Sequence, residues 1–282
     1  MTQCKDCGKT VPDFARHCPY CHTDVGFPNV RAAQTIAEQT ALAERLANAH
    51  VSARARRCET ELADFGDKVL KSKVVICRSL SVIQTLMSDE NQLYNTFYQQ
   101  VGSQSRIPLD NSWDRGRVAV DGTLFPYYQE NMVFGALSLD DRGVKSFGPY
   151  ALVLKEEMIF RRTTVFEENS FTFCQTKHRI VAGDPVPPGY RAVWSERDRL
   201  AMAKLHSKVD RGTLPDNYPG ILLSEPTRSL EADFIEVHIY GSIHRTAVER
   251  ITGPIPKDHS DRVILRSLKR KLAEVGVALD LS

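Results

Sequence analysis

The stretch Asp233-Phe234-Ile235-Glu236-Val237-His238-Ile239-Tyr240-Gly241 is the most regular strand signal in the chain. Side chains alternate faces along a strand, so Ile235, Val237 and Ile239 point one way and Phe234, Glu236 and His238 the other. A carboxylate and an imidazole thus share a face of a strand whose apolar residues demand burial. Two ordinary arrangements fit: an edge strand with Glu236 in water, or Glu236 paired with an arginine. A third is a carboxylate kept out of water because a reaction needs it there. His238 taken alone reads as a structural histidine.

Before this strand lies a series of short apolar runs broken by turn residues. Val74 to Arg78, Val118 to Val120, Val133 to Leu139 and Tyr150 to Leu154 read as strands, and Asp140-Asp141-Arg142-Gly143 as a turn. Arg161 to Phe166 (R-R-T-T-V-F) and Phe171 to Cys174 (F-T-F-C) are β-branched and aromatic, which favours sheet. Helical composition marks Ser79 to Tyr98, Glu196 to Val209 and Asp261 to Val275. Helices before and after a strand-rich centre define an α+β domain. Upstream, from about Asn29 to Leu70, the chain lacks proline and has Gly66 as its only glycine. With Ile36, Leu42, Leu46 and Ala49 falling on one face, it reads as a helical arm. Within the arm, Arg54, Arg56 and Arg57 suit a solvated helix face or a phosphate-bearing partner.

The N-terminus is of another kind. Cys4 and Cys7, then Cys18 and Cys21, form a C-x2-C, ten-residue gap, C-x2-C pattern. Two thiolate pairs at this spacing close a tetrahedral zinc sphere. Gly8 follows the first pair, where a knuckle needs positive φ. The alternative, two disulfides in a secreted mini-domain, fits poorly with Cys58, Cys77 and Cys174 as extra thiols and with no apolar segment after Met1. A reducing, cytoplasmic setting is the expectation. Four sulfurs fill the shell, so His17 and His22 are not needed as ligands and no position is open for substrate.

The whole chain has 282 residues, of which 42% are hydrophobic and 26% charged, the balance of a folded soluble protein without a membrane span. A net charge of +2 is too small to argue for nucleic-acid binding from global electrostatics. There is no G-x-G-x-x-G, Walker A loop, H-E-x-x-H or G-x-S-x-G, which sets aside the Rossmann, P-loop, zincin and α/β-hydrolase sites.

Four blocks carry a resemblance: Phe134 to Gly143 (F-G-A-L-S-L-D-D-R-G), Phe147 to Lys155 (F-G-P-Y-A-L-V-L-K), Arg161 to Ser170 (R-R-T-T-V-F-E-E-N-S) and Phe234 to Gly241 (F-I-E-V-H-I-Y-G). In this order they resemble a bacterial family with the series Y-G-A-L, F-G before an apolar strand, R-x-T then G-D-S, and E-A-Q-x-H-G. That family is thought to share the ADP-ribosyltransferase fold of toxins. The resemblance spans roughly residues 130 to 250, and the chain departs from it at Glu168-Asn169-Ser170 in place of G-D-S and at His238 in place of glutamine.

The resemblance implies a split β-sheet domain with flanking helices that binds NAD. Together with the ribbon and arm read above, which lie outside the resemblance, the organisation is zinc ribbon 1–27, helical arm 28–70 and an ADP-ribosyltransferase-like catalytic domain 71–282. Glu236 would be the catalytic glutamate, with His238 beside it. Breaking the nicotinamide–ribose bond builds oxocarbenium-like charge, which a fixed carboxylate at the 2′-hydroxyl stabilises. Arg78, otherwise a surface arginine closing a strand, would hold the pyrophosphate. Ser138 or Thr164 would orient the nicotinamide ribose, and Tyr150 or Phe134 would form an aromatic platform unless they are core residues. Asn169 and Ser170 would contact NAD or cap a turn. The acceptor would be RNA, DNA or protein, and a toxin or phage-defence role would imply a neutralising partner protein. Two other classes fit the residues: a non-catalytic zinc-ribbon adaptor, and a nuclease or hydrolase using Glu236 and His238 without NAD.

Overall fold

The alternation around Glu236 is realised inside an eight-stranded mixed sheet. A computed structural model describes residues 2–102, 112–178, 180, 181, 184–225 and 232–282, with the backbone alone for 112–115. Its strands are β1 (Thr2–Gln3), β2 (Thr10–Val11), β3 (Lys73–Arg78), β4 (Leu93–Tyr94), β5 (Met132–Ser138), β6 (Tyr150–Leu154), β7 (Thr163–Phe166), β8 (Arg191–Val193), β9 (Glu236–Tyr240), β10 (Ile243–His244), β11 (Val248–Gly253) and β12 (Ala278–Leu281). The helices are α1 (Pro28–Ala33), α2 (Ile36–Arg56), α3 (Glu59–Val69), α4 (Leu80–Ser88), α5 (Phe97–Gly102), α6 (Ser112–Leu124), α7 (Glu156–Ile159), α8 (Arg197–Leu205), α9 (Tyr218–Leu222) and α10 (His259–Val275). The large sheet runs β12-β11-β6-β3-β5-β9-β7-β8, antiparallel except for the β11–β12 pair, and β1–β2 and β4–β10 form two separate two-stranded antiparallel pairs.

One face of the sheet carries Val74, Ile76, Leu137, Leu152, Leu154, Val237 and Ile239 into the main core. Against it pack α3 and α8, with Leu62, Phe65, Val69 and Leu200, and α4 and α10, with Ile83 and Leu268. The opposite face carries Glu236 and His238. It is covered by α6 and by a short π-helical segment, Thr172–Lys177, through Val120, Leu124, Phe125, Phe166 and Phe173.

Residues 28–70 are helical as read, but they do not stand apart as an arm. Leu42, Ala53, Cys58, Leu62, Phe65 and Val69 belong to the same buried cluster as the sheet. Arg45 Nη1 donates to the Gly189 carbonyl at 2.6 Å and Glu38 Oε2 accepts from Gly189 N at 2.6 Å, which clamps α2 to the turn that leads into β8. Arg56 is spent on the Val209 and His206 carbonyls and on Asp210, and Arg54 pairs with Glu59, so two of the three arginines are engaged within the chain. Phe65 meets Tyr218 edge-on at 5.3 Å. Phe65→Ala should therefore cost the whole domain about 3–5 kcal/mol, the usual loss for a buried phenylalanine. A urea titration followed by circular dichroism would show one transition moved to lower urea; an independent arm would lose only local helix.

Two expected strands are helical instead. Val118 to Val120 lies within α6, where Val120 and Leu124, one turn apart, seat the helix on the sheet while Val118 faces solvent. Burial of one helical face overrides the strand preference of valine. Phe171 to Cys174 enters the π-helical segment because the Asn169 side chain accepts from the Phe171 and Thr172 amides, both at 3.1 Å, and turns the chain into a helix. The reading of helix from Ser79 to Tyr98 holds for α4, after which the chain makes β4 and then starts α5. No helix among the described residues is long and apolar enough to cross a membrane.

Candidate active site

The sheet opens at one seam. β3 pairs with β6 along Val74 to Arg78, but with β5 only along Lys73 to Val75. β5 in turn follows β9 from Met132 to Ala136. Past Val75 the two central strands therefore diverge like the tines of a fork, within a sheet that is one continuous eight-stranded ladder. Gly135 sits at the crotch: a Cβ there would lie 2.9 Å from the Val75 carbonyl oxygen and 2.9 Å from a Val74 methyl, so only glycine permits the approach. Gly148 (φ +143°) passes equally close behind the end of β3, where a Cβ would lie 2.5 Å from the Arg78 Cα.

A cavity of about 360 Å³ fills the fork, with a smaller one of about 60 Å³ adjoining. One tine contributes Arg78. The other contributes Phe134 from β5, backed by Glu236 from β9. Tyr94, Phe97, Arg117 and Asp121 close the far side, and Asn169, Ser170 and Phe171 form the rim near Glu236. The Arg78 guanidinium lies over the Tyr94 ring at 5.2 Å, and that of Arg117 lies over Phe97 at 5.2 Å and Phe134 at 5.4 Å. Both cations are thus held by aromatic faces.

Glu236 is 6% exposed on an internal strand, flanked in register by Ala136 and Phe166. Neither ordinary arrangement foreseen for it occurs among the described residues: it does not face bulk water, and its contacts there are with Ser170 and His238 and not with an arginine. The Ser170 amide donates to Oε2 at 3.0 Å, the Ser170 hydroxyl donates to the same oxygen, and His238 Nε2 lies 2.9 Å from it. All these contacts converge on Oε2, and the carboxylate borders the cavity. Three donors on one oxygen fix the group in orientation while leaving its second oxygen for another partner.

His238 is behind Glu236 rather than in the cavity. Its ring, 3% exposed, is boxed by Phe125 at 4.8 Å, Phe134 at 5.3 Å and Phe166 at 5.4 Å. It holds Glu236 and Ser170, the latter with Nε2 to Oγ at 3.2 Å. Thr164 is also in this inner layer, beside His238 in register, with Oγ1 accepting from Asn29 at 3.4 Å. Ser138 is at the closed end of the fork, opposite Lys73, with its hydroxyl on Asp140 at 3.2 Å, and does not line the cavity. Tyr150 points to the opposite face of the sheet, into the main core against Gly253. Of the residues singled out in the sequence, the fork brings together Arg78, Phe134, Asn169, Ser170 and Glu236. Thr164, Ser138 and Tyr150 fall outside it because strand register, which the sequence does not display, sets which face and which end each occupies.

Among the charged residues of the cavity, two were not foreseen. Arg117 and Asp121 stand one turn apart on α6, a spacing that reads as a same-face pair only once the segment is helical. Asp121 is 3% exposed, and Tyr98 Oη donates to its Oδ2 at 3.0 Å. Burial pushes its carboxyl up to about 7, aided by the charge of Glu236 and opposed by Arg117 and the Tyr98 bond.

The four N-terminal cysteines form the other site. Their sulfurs lie within 4.8 Å of one another, with Cys4 to Cys21 at 3.5 Å and Cys7 to Cys18 at 3.6 Å. Four thiolates about 2.3 Å from a tetrahedral zinc stand ~3.8 Å apart, so the donor set fits a structural zinc ion. Each pair sits on a knuckle: Gly8 N donates to Cys4 O and His22 N to Cys18 O, both at 2.9 Å. Gly8 (φ +69°) takes the left-handed conformation expected of it, and His22 (φ +60°) does the same in the second knuckle. The Arg31 guanidinium bolts the ribbon to α1 through the carbonyls of Pro12, Asp13, Ala15, Val25 and Gly26. No protein-family model matches this chain, and no curated protein matches it.

Proposed function

We infer that the fork is an NAD site and that the protein is an ADP-ribosyltransferase-like enzyme. The observation that carries this reading is Glu236: a carboxylate withdrawn from water, oriented through one oxygen by Ser170 and His238, and bordering a cavity that also holds two arginines. NAD carries an anionic pyrophosphate and a cationic nicotinamide on the same ribose that must gain positive charge. The cavity offers matching groups: Arg78 and Arg117 for the pyrophosphate, Phe134 as a face for the ring, and Glu236 for the ribose. Asn169 serves chiefly to turn the chain so that Ser170 reaches Glu236.

The hydrolase alternative has less support, because His238 is enclosed by aromatic rings and meets Glu236 rather than the cavity. A non-catalytic adaptor gives no reason to hold a buried carboxylate at a polar cavity. The zinc ribbon, bolted to the domain by Arg31, is the element proposed to select an acceptor macromolecule, whether RNA, DNA or protein. A toxin or defence role in a reducing cytoplasm, with a neutralising partner, follows from the same resemblance.

The test uses NAD labelled separately in the nicotinamide and the adenylate. Wild-type protein incubated with cell extract is expected to release the first label and to attach the second to a macromolecule. Release without attachment would make the enzyme a glycohydrolase; release of neither label would remove NAD from the account.

A further inference from the structure

The fork holds a second carboxyl that charge stabilisation by Glu236 leaves without a task. Asp121 projects from α6, the roof of the cavity, while Glu236 rises from β9, its floor. Among the described residues, the groups facing Asp121 are Tyr98 from α5, Arg117 from its own helix, Glu236 from β9 and Cys174 from the π-helical segment. Burial pushes the Cys174 thiol up to about 12, so it is neutral, and Arg78 of β3 adds positive charge to the same cavity. Tyr98 donates to Oδ2 alone, and the carboxyl lines the space in which a ligand would sit.

Resting on the NAD reading, we propose that Asp121 is the proton acceptor for the nucleophile that captures the ribosyl cation, and that this nucleophile is a neutral hydroxyl. A neutral hydroxyl must give up its proton as it bonds to C1′, and with Glu236 taken by the ribose, Asp121 is, among the described residues, the other carboxyl that lines the cavity and can receive it. In the step, the bond from ribose C1′ to the nicotinamide nitrogen breaks and its electron pair stays on that nitrogen, which loses its positive charge. The hydroxyl oxygen bonds to C1′, and its proton passes to the Asp121 carboxylate. A carboxyl that titrates close to neutrality is matched to this task, being ionised in part at working pH yet basic enough to take a proton in the transition state.

The experiment is the pH dependence of nicotinamide release and label transfer from pH 5 to 9 for wild type, Asp121→Asn, Tyr98→Phe and Glu236→Gln. A base must be ionised to act, so the wild-type rate should rise with pH through a midpoint near 7. Asp121→Asn should lose about 10²–10⁴-fold in rate with the NAD KM little changed, and its profile should be flat through that range. Tyr98→Phe removes a bond that favours the ionised carboxyl and should move the midpoint to higher pH, which loss of packing alone would not do. The product distinguishes the hydroxyl's source: free ADP-ribose for water, label on a macromolecule for an acceptor. If Glu236→Gln abolishes release while Asp121→Asn and Tyr98→Phe keep the wild-type rate and midpoint, the role of Asp121 is overturned and the NAD reading stands. If the wild type cleaves no NAD, both fall together.

Discussion

Glu236→Gln should lower the rate of nicotinamide release by about 10²–10³-fold, the loss seen when one fixed electrostatic partner of a transition state is removed, or ~3–4 kcal/mol of barrier. The substitution keeps the shape of the side chain and takes away its charge, which is what the oxocarbenium-like ribose requires. The fold should survive, because Ala136, Phe166 and the strands on either side pack as before. Glutamine can still accept from the Ser170 amide through its carbonyl oxygen. Initial rates alongside a thermal melt separate the outcomes: a large loss of rate with the melting temperature within a few degrees of wild type supports a chemical role. Equal loss of both would make Glu236 a structural group.

Removing the metal should unfold the ribbon and leave the domain standing. The ribbon's buried cluster is Cys4, Val11 and Cys18, with Ala15 and Val25 partly buried against it, and it is separate from the main core. So small a core cannot offset the entropy of ordering residues 2–27, whereas a structural zinc site supplies about 10–16 kcal/mol at neutral pH. Chelation, or Cys18→Ser, is therefore expected to expose the first 27 residues to limited proteolysis with release of zinc. The Arg31 contacts to the ribbon carbonyls would be lost with it. The main unfolding transition should move little, since the sheet and α2, α3 and α8 share a core without the ribbon. A ribbon that resists protease after chelation would contradict the structural role of the metal.

The strands that build the fork were legible because they bury both faces. Val74 to Arg78 and Tyr150 to Leu154 are nearly unbroken apolar runs, and the alternation from Ile235 to Ile239 placed Glu236 and His238 on one face, as the structure has them. The helices of residues 28–70 were legible from composition, but their destination was not. Amphipathic periodicity identifies an apolar face without naming its partner, and Leu62 and Phe65 go to the main core. Arg117 and Asp121 were hidden by the valines of α6, whose strand preference masked a helix and with it the spacing that makes the two neighbours. The hold of Ser170 on Glu236 joins residues 66 positions apart and depends on the turn that Asn169 induces. No local pattern reports such a contact.

The most direct test of the central claim is a crystal structure of the protein with a non-cleavable NAD analogue, in which a carbon replaces the ribose ring oxygen. The analogue is expected between β3 and β5, with its pyrophosphate on Arg78 and Arg117 and the ribose 2′-hydroxyl on the Glu236 oxygen that Ser170 and His238 leave free. An analogue bound outside the fork, or a fork that stays empty at millimolar analogue, would contradict the account.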